Sequence, residues 1–258
     1  MAFSLAGKFV WYELTTPDAP AARKFFAEVL GWTSRDGSVP GIDYSLMSIG
    51  GSDIAGVMGQ QEGMPAAWLG YICTDDLDAT FAKVTAAGAT PIVPIAPIPG
   101  VGRFSILIDP TGAPFGLLEY GDEFPKPTVP DRGIQGNSWW RELHSSDRAK
   151  AFDFYSSQFG WKEFDRIPMP MGPEEIYQVW GDDEMPRGGM LTDGQTAAPH
   201  WMFYIWVDDV DATIEKIGRA GGKLLTGPME VPGGAWIIHA SDPQGITFAV
   251  VGDRAKNK

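Results

Sequence analysis

The stretch WYELTTPDAPAARKFFAEVLGW, Trp11 to Trp32, returns as WRELHSSDRAKAFDFYSSQFGW, Trp140 to Trp161. Aligned without gaps, the two share Trp, Glu, Leu, Asp, Ala, Phe, Gly and Trp at an offset of 129 positions. Later stretches match at an offset of 133. WLGYICTDDLDATFAKVTAAGA from Trp68 faces WMFYIWVDDVDATIEKIGRAGG from Trp201, and DPTGAPFGLL from Asp109 faces DPQGITFAVV from Asp242. A chain that repeats at this distance reads as two like halves of ordinary domain size, and the period is too long for a solenoid of small repeats. The change from 129 to 133 puts a four-residue insertion between Trp161 and Tyr177, in KEFDRIPMPMGPEEI, which reads as a tolerant Pro/Met/Gly loop. GDEFPKPTVPDRGIQG, residues 121–136, has the Pro, Gly and charge content of a connector. The expected division is residues 1–122, a linker at 123–136, and residues 137–258.

Each half divides again. A strand, an Asp and a helix occur at Trp11–Leu30 and again at Trp68–Ala87. Asp18 is placed to cap a helix whose apolar side includes Ala22, Phe25, Phe26, Val29 and Leu30, and Asp76 or Asp78 to cap one containing Phe81, Val84 and Ala87. Short apolar runs follow each helix: YSLMSI and IAGVM, then TPIVPI, RFSILI and PFGLLE. Each quarter therefore reads β-α-β-β-β. Asp109 and Asp242 belong to turns between the last two strands.

The net charge is −13, which argues against a nucleic-acid backbone or an anionic membrane surface as partner. Cys73 is the single cysteine, so neither an internal disulfide nor a cysteine cluster for zinc is available. The opening MAFSLAGKFVWYEL has no secretory pattern, and no window approaches the ~18 apolar residues of a membrane helix. A cytoplasmic protein is the expectation.

The order of these motifs, repeated once per half, resembles the glyoxalase/bleomycin-resistance/dioxygenase superfamily, the vicinal oxygen chelate proteins. The carriers of the resemblance are Asp-helix-(L/F)GW, DD(L/V)DAT and DP-x-G before an apolar strand. The resemblance implies an α+β fold of two tandem glyoxalase-like domains. In each, two βαβββ modules would form a curled, cup-shaped mixed sheet holding a ligand in the concavity. It also implies a divalent metal, Fe, Zn, Mn or Ni, held by His, Glu or Gln on inner strand faces. The first ligand position falls about seven residues before the helix-opening Asp, where Trp11 and Trp140 stand. The second falls at Leu69 and Met202, the third at Gly116 and Ala249. None of these six side chains ligates a metal well, so no metal is expected at the usual positions, and no cofactor is assigned.

Strand parity places Trp11, Glu13 and Thr15 on one face, and Trp140, Glu142 and His144 on the equivalent face. His200, Met202 and Tyr204 share a third. Glu142, His144 and Glu13 are the candidate catalytic residues. Trp11, Trp140, His200, Met202 and Leu69 are the candidate ligand-binding residues. Glu142, His144 and His200 form an alternative, shifted metal set of the 2-His-1-carboxylate kind. His239 reads as a surface or partly buried histidine, and Arg103 and Arg141 as solvated or ion-paired. Among the ten tryptophans, Trp32, Trp161, Trp68 and Trp201 read as core. Trp11, Trp140, Trp180, Trp206 and Trp236 read as possible cup linings.

Three functions fit. The first is a protein binding a small hydrophobic or aromatic molecule in a Trp-lined cup, similar to the bleomycin-resistance branch. The second is a metal-dependent lyase or ring-cleaving dioxygenase with its site shifted into the second half. The third is a non-catalytic scaffold with filled cups. Monomer and homodimer both suit two halves in one chain.

Overall fold

The computed structural model describes residues 4–39, 41–127, 133–169, 172–193 and 198–254. The centre of the expected linker, 128–132, and residues 170–171 of the insertion lie outside them.

The four quarters fold as four modules. The first is β1 (Phe9–Thr16), α1 (Ala19–Leu30), β2 (Thr33–Asp36), β3 (Tyr44–Ile49) and β4 (Ser52–Gly59). The second is β5 (Ala67–Cys73), α2 (Leu77–Ala86), β6 (Thr90–Ile98), β7 (Gly102–Ile108) and β8 (Pro114–Tyr120). The third is β9 (Ser138–Ser145), α3 (Arg148–Phe159), β10 (Lys162–Met169), β11 (Gly172–Gly181) and β12 (Pro186–Thr192). The fourth is β13 (His200–Val207), α4 (Val210–Arg219), β14 (Lys223–Glu230), β15 (Trp236–Ser241) and β16 (Thr247–Gly252).

Each helix begins at an aspartate whose carboxylate accepts a backbone N–H three residues on. Asp18 accepts from Ala21 (2.9 Å), Asp76 from Ala79 (2.9 Å), Asp147 from Lys150 (3.0 Å) and Asp209 from Ala212 (3.1 Å). These bonds satisfy donors that a helix start otherwise leaves orphaned. Gly31 and Gly160 close α1 and α3 at φ 77° and 73°, a left-handed turn that a Cβ disfavours. The next residue in each case is the buried Trp32 or Trp161.

Two mixed eight-stranded sheets result, in the orders β2-β3-β4-β1-β5-β8-β7-β6 and β10-β11-β12-β9-β13-β16-β15-β14. Within each module the outer strands are antiparallel hairpins, and the first strand runs parallel to the last. The insertion forms strand rather than the expected loop. It lengthens the β10–β11 hairpin, so β10 has 8 residues where β2 has 4.

By packing, the chain forms two compact units that differ from the sequence halves. One is Met1–Val10, Leu69–Val129 and Arg141–Met202. The other is Trp11–Trp68, Pro130–Trp140 and Phe203–Lys258. The first unit is centred on rings: Tyr155 stacks on Trp161 (4.9 Å between centroids), Trp161 on Trp180 (3.7 Å), and Trp201 lies edge-on to all three. The second unit buries Leu14, Phe25, Phe26, Val29 and Trp32 with Ile205, Ile217, Ile238, Phe248 and Val250. Full burial of each such side chain contributes about 1.5–3 kcal/mol.

Candidate functional site

In β9, Glu142 is registered with Gly189 of β12, and His144 with Leu191. Gly189 leaves room for the ring of Tyr177 from β11; a Cβ there would lie 2.1 Å from the ring. The Tyr177 hydroxyl donates to Glu142 Oε2 at 2.7 Å. His144 Nε2 stands 2.9 Å from Glu142 Oε1, and its Nδ1 stands 3.0 Å from Asp193 Oδ2, just past the end of β12. The ring of His200, at the start of β13, stacks on His144 with centroids 4.7 Å apart and planes 8° apart. His200 Nδ1 lies 3.2 Å from the Ala198 carbonyl. All these residues belong to the first unit.

The electrostatics follow from the geometry. Burial works against a charged His144, but the hydrogen bonds and charges of Glu142 and Asp193 outweigh it, and its pKa is raised above the ordinary histidine value. As imidazolium it donates from both nitrogens, one to each carboxylate. Burial and the neighbouring His144 charge push His200 the other way. The two stacked rings are therefore pushed in opposite directions, His144 toward the charged form and His200 toward the neutral one. Chemically, Tyr177, Glu142, His144 and Asp193 form a continuous line of proton-exchanging groups, with Asp193 fixing the ring of His144 as an orienting carboxylate does in acid–base sites.

The same device recurs in the other modules. Tyr44 lies over Gly56, where a Cβ would meet its hydroxyl at 2.3 Å, and accepts from Trp11 Nε1 at 3.2 Å. Tyr71 lies over Gly116, with a Cβ-to-ring distance of 2.1 Å. Tyr204 is registered with Ala249, and its hydroxyl is 2.8 Å from His239 Nε2. A phenol ring therefore stands on or beside a small residue of a central strand in every module.

Glu142, His144 and His200 do come together. They do not aim at one point, because both nitrogens of His144 face carboxylates and His200 lies flat against it. Among the described residues no group of three or more His, Cys, Asp or Glu side chains is arranged to hold a metal ion. Glu13, registered with Gly56, is half-buried and belongs to the second unit. Trp11, Trp140 and Leu69 are half-buried and Met202 is buried. The residues at the family's ligand positions therefore do not fit a metal: two indoles, a leucine, a thioether, a glycine beneath Tyr71, and an alanine. Trp180 is corrected from cup lining to core, since it is 3% exposed and stacked on Trp161. Trp236 packs against the core with the Arg254 guanidinium 4.6 Å from its ring. Arg103 is ion-paired with Asp78 and Glu119, as expected. Arg141 is buried rather than solvated.

Sequence reasoning missed Asp193, Tyr177 and Tyr44. Asp193 carried no signal, since it lies in a different strand connection. The tyrosines had one: a glycine inside a strand pattern, Gly56 or Gly189, marks close approach of another group.

The sequence model of the Glyoxalase/Bleomycin resistance protein/Dioxygenase superfamily matches residues 8–117 and 142–250. The putative glyoxylase CFP32 of Mycobacterium tuberculosis is 33% identical over 248 residues, 93% of each chain. The anthracycline biosynthesis protein DnrV of Streptomyces peucetius is 31% identical over 264 residues, 95% of this chain and 93% of its own. Among solved structures, the Mn(II)-bound glyoxalase from Novosphingobium aromaticivorans superposes with a TM-score of 0.68 at 16% identity, covering 99% of this chain and 87% of that one. The chain belongs to the glyoxalase/bleomycin resistance protein/dioxygenase superfamily as a tandem two-domain member. Among the described residues no helix is long and apolar enough to cross a membrane.

Proposed function

We propose that the protein binds a small planar aromatic molecule against indole and phenol walls, and that the metal site usual to its family has been replaced by those walls. The observation that carries this reading is the half-buried pair Trp11 and Trp140 at the two first-ligand positions, with the Tyr44 hydroxyl 3.2 Å from Trp11 Nε1. An aromatic side chain offers on the order of 150–250 Å² of apolar surface. At about 25 cal/mol per Å² this gives a flat ligand several kcal/mol of burial. The relative named for anthracycline biosynthesis supports a planar, fused-ring ligand. Titration with a hydroxyanthraquinone, followed by tryptophan quenching, tests the reading. Trp11→Ala and Trp140→Ala are expected to weaken binding at least tenfold, whereas unchanged affinity in both refutes it.

A second reading adds acid–base chemistry, with Glu142 and His144 as the proton-transferring residues. It is favoured by Asp193 holding His144 Nδ1 while Nε2 meets Glu142. A lyase-type proton shift on a bound hydroxy-aromatic or carbonyl compound suits such a pair. Glu142→Gln and His144→Ala would then reduce turnover far more than His239→Ala.

A further inference from the structure

The repeat supplies an internal comparison for the histidine cluster. By the offsets of 129 and 133, Glu142, Tyr177 and Gly189 of the first unit have Glu13, Tyr44 and Gly56 as counterparts in the second. A phenol over a strand glycine, with a glutamate registered beside that glycine, is common to both copies. The other three members are not. His144 answers to Thr15, Asp193 to Gln60 and His200 to Ala67. One copy of the module folds without an imidazole at either place, so folding alone does not call for them.

The chain's three histidines differ in what their nitrogens meet. His144 has both nitrogens at carboxylates, 2.9 Å from Glu142 and 3.0 Å from Asp193. His239 Nε2 lies 2.8 Å from the Tyr204 hydroxyl. His200 is held at one edge only. Its Nδ1 is 3.2 Å from the Ala198 carbonyl. A carbonyl oxygen can only accept, so the hydrogen of the neutral ring, the form its surroundings favour, sits on Nδ1. The lone pair is then on Nε2, which makes no hydrogen bond among the described residues. The plane of the ring is set by its stack on His144, 4.7 Å away and 8° from parallel. Its direction is set by the strand. The neighbouring Trp201 turns to Tyr155 of α3, with ring centroids 5.4 Å apart, and adjacent strand residues point to opposite faces. His200 therefore faces away from α3, and it is half-buried rather than enclosed. The result is a hydrogen-bond acceptor fixed in plane and direction.

We infer that His200 is the member of this cluster that touches the bound molecule, and that its Nε2 receives the hydroxyl hydrogen of a phenol or enol. A lone pair on nitrogen accepts a hydrogen, so a hydroxyl suits it and a bare carbonyl or an ether does not. The inference rests on the second reading above and assigns the contact to a residue which that reading leaves out. The test labels the whole protein at neutral pH with diethyl pyrocarbonate, which acylates an unprotonated imidazole nitrogen. Three histidines in the chain let peptide mass spectrometry assign every adduct. His200 is expected to react at least tenfold faster than His144 or His239. An anthraquinone whose hydroxyl lies away from its carbonyls is expected to slow that reaction, and the parent anthraquinone at equal concentration to slow it far less. His144 or His239 reacting ahead of His200 overturns the inference and leaves the acid–base reading standing. Equal protection by the two compounds overturns the hydroxyl contact. Fast labelling of His200 that neither compound slows overturns the inference together with the ligand class it rests on.

Discussion

Tyr155 gives its hydroxyl proton to Asp109 Oδ2 across 2.9 Å, and its repeat counterpart Phe26 has no oxygen with which to do the same for Asp242. In the first unit this hydroxyl also accepts from Trp201 Nε1 at 3.1 Å. In the second unit the equivalent atoms, Asp242 Oδ2 and Trp68 Nε1, are both buried without a partner. The rings otherwise correspond: Tyr155 and Trp201 are 5.4 Å apart, Phe26 and Trp68 5.6 Å, both edge-on. Burial lifts the Asp242 carboxyl above the usual carboxylate range, against the lowering by backbone N–H groups of Ile246, Gln244 and Gly245.

Phe26→Tyr is therefore expected to stabilise the protein. A new hydroxyl would satisfy two orphaned groups, at about 0.5–1.5 kcal/mol for each hydrogen bond. Tyr155→Phe should destabilise by about 1–3 kcal/mol, through the orphans it creates. Equilibrium urea denaturation measures both. Loss of stability in Phe26→Tyr would show that the two nodes are not equivalent.

The stacked histidines should titrate apart. His144 is held above the ordinary histidine pKa and His200 below it. The stability contributed by charging His144 is fully present below about pH 6.5, its unfolded value. It is lost as pH rises through the higher folded midpoint. For His200 the sign is opposite, and its penalty appears as pH falls below that same unfolded value. NMR of the imidazole protons follows both. Asp193→Asn should bring the His144 midpoint down, and an unmoved midpoint would remove Asp193 from the cluster.

Gly189→Ala tests the Tyr177 contact. A methyl group at that position meets the phenol ring at 2.1 Å. The ring must swing away, breaking its bond to Glu142. Overpacking of this kind costs about 1–3 kcal/mol, and the same variant should shift the His144 midpoint. Tyr177→Phe, which keeps the ring and loses only the hydroxyl, should leave packing intact and shift the midpoint alone.

Much of this was legible in the chain. The offset between Trp11 and Trp140 revealed the repeat, Asp18 and the choice of Asp76 or Asp78 marked the first two helix starts, and alternation put Glu142 and His144 on one face. Parity, however, states only which face a side chain occupies. Which residue of the next strand lies beside it depends on register, and so Asp193 and Tyr177 were invisible beside Glu142. The insertion after Trp161 carried loop residues, yet cross-strand pairing drew Lys162–Met169 into strand. The grouping of modules into compact units was hidden for the same reason: it rests on contacts distant in sequence.

The central claim is that indole and phenol walls, not a chelated ion, hold the ligand. Calorimetric titration of a hydroxyanthraquinone into the protein, before and after treatment with a chelator, tests it most directly. The account predicts the same affinity in both samples and at least a tenfold loss in Trp140→Ala. Binding that disappears with the chelator and returns on adding manganese would contradict it.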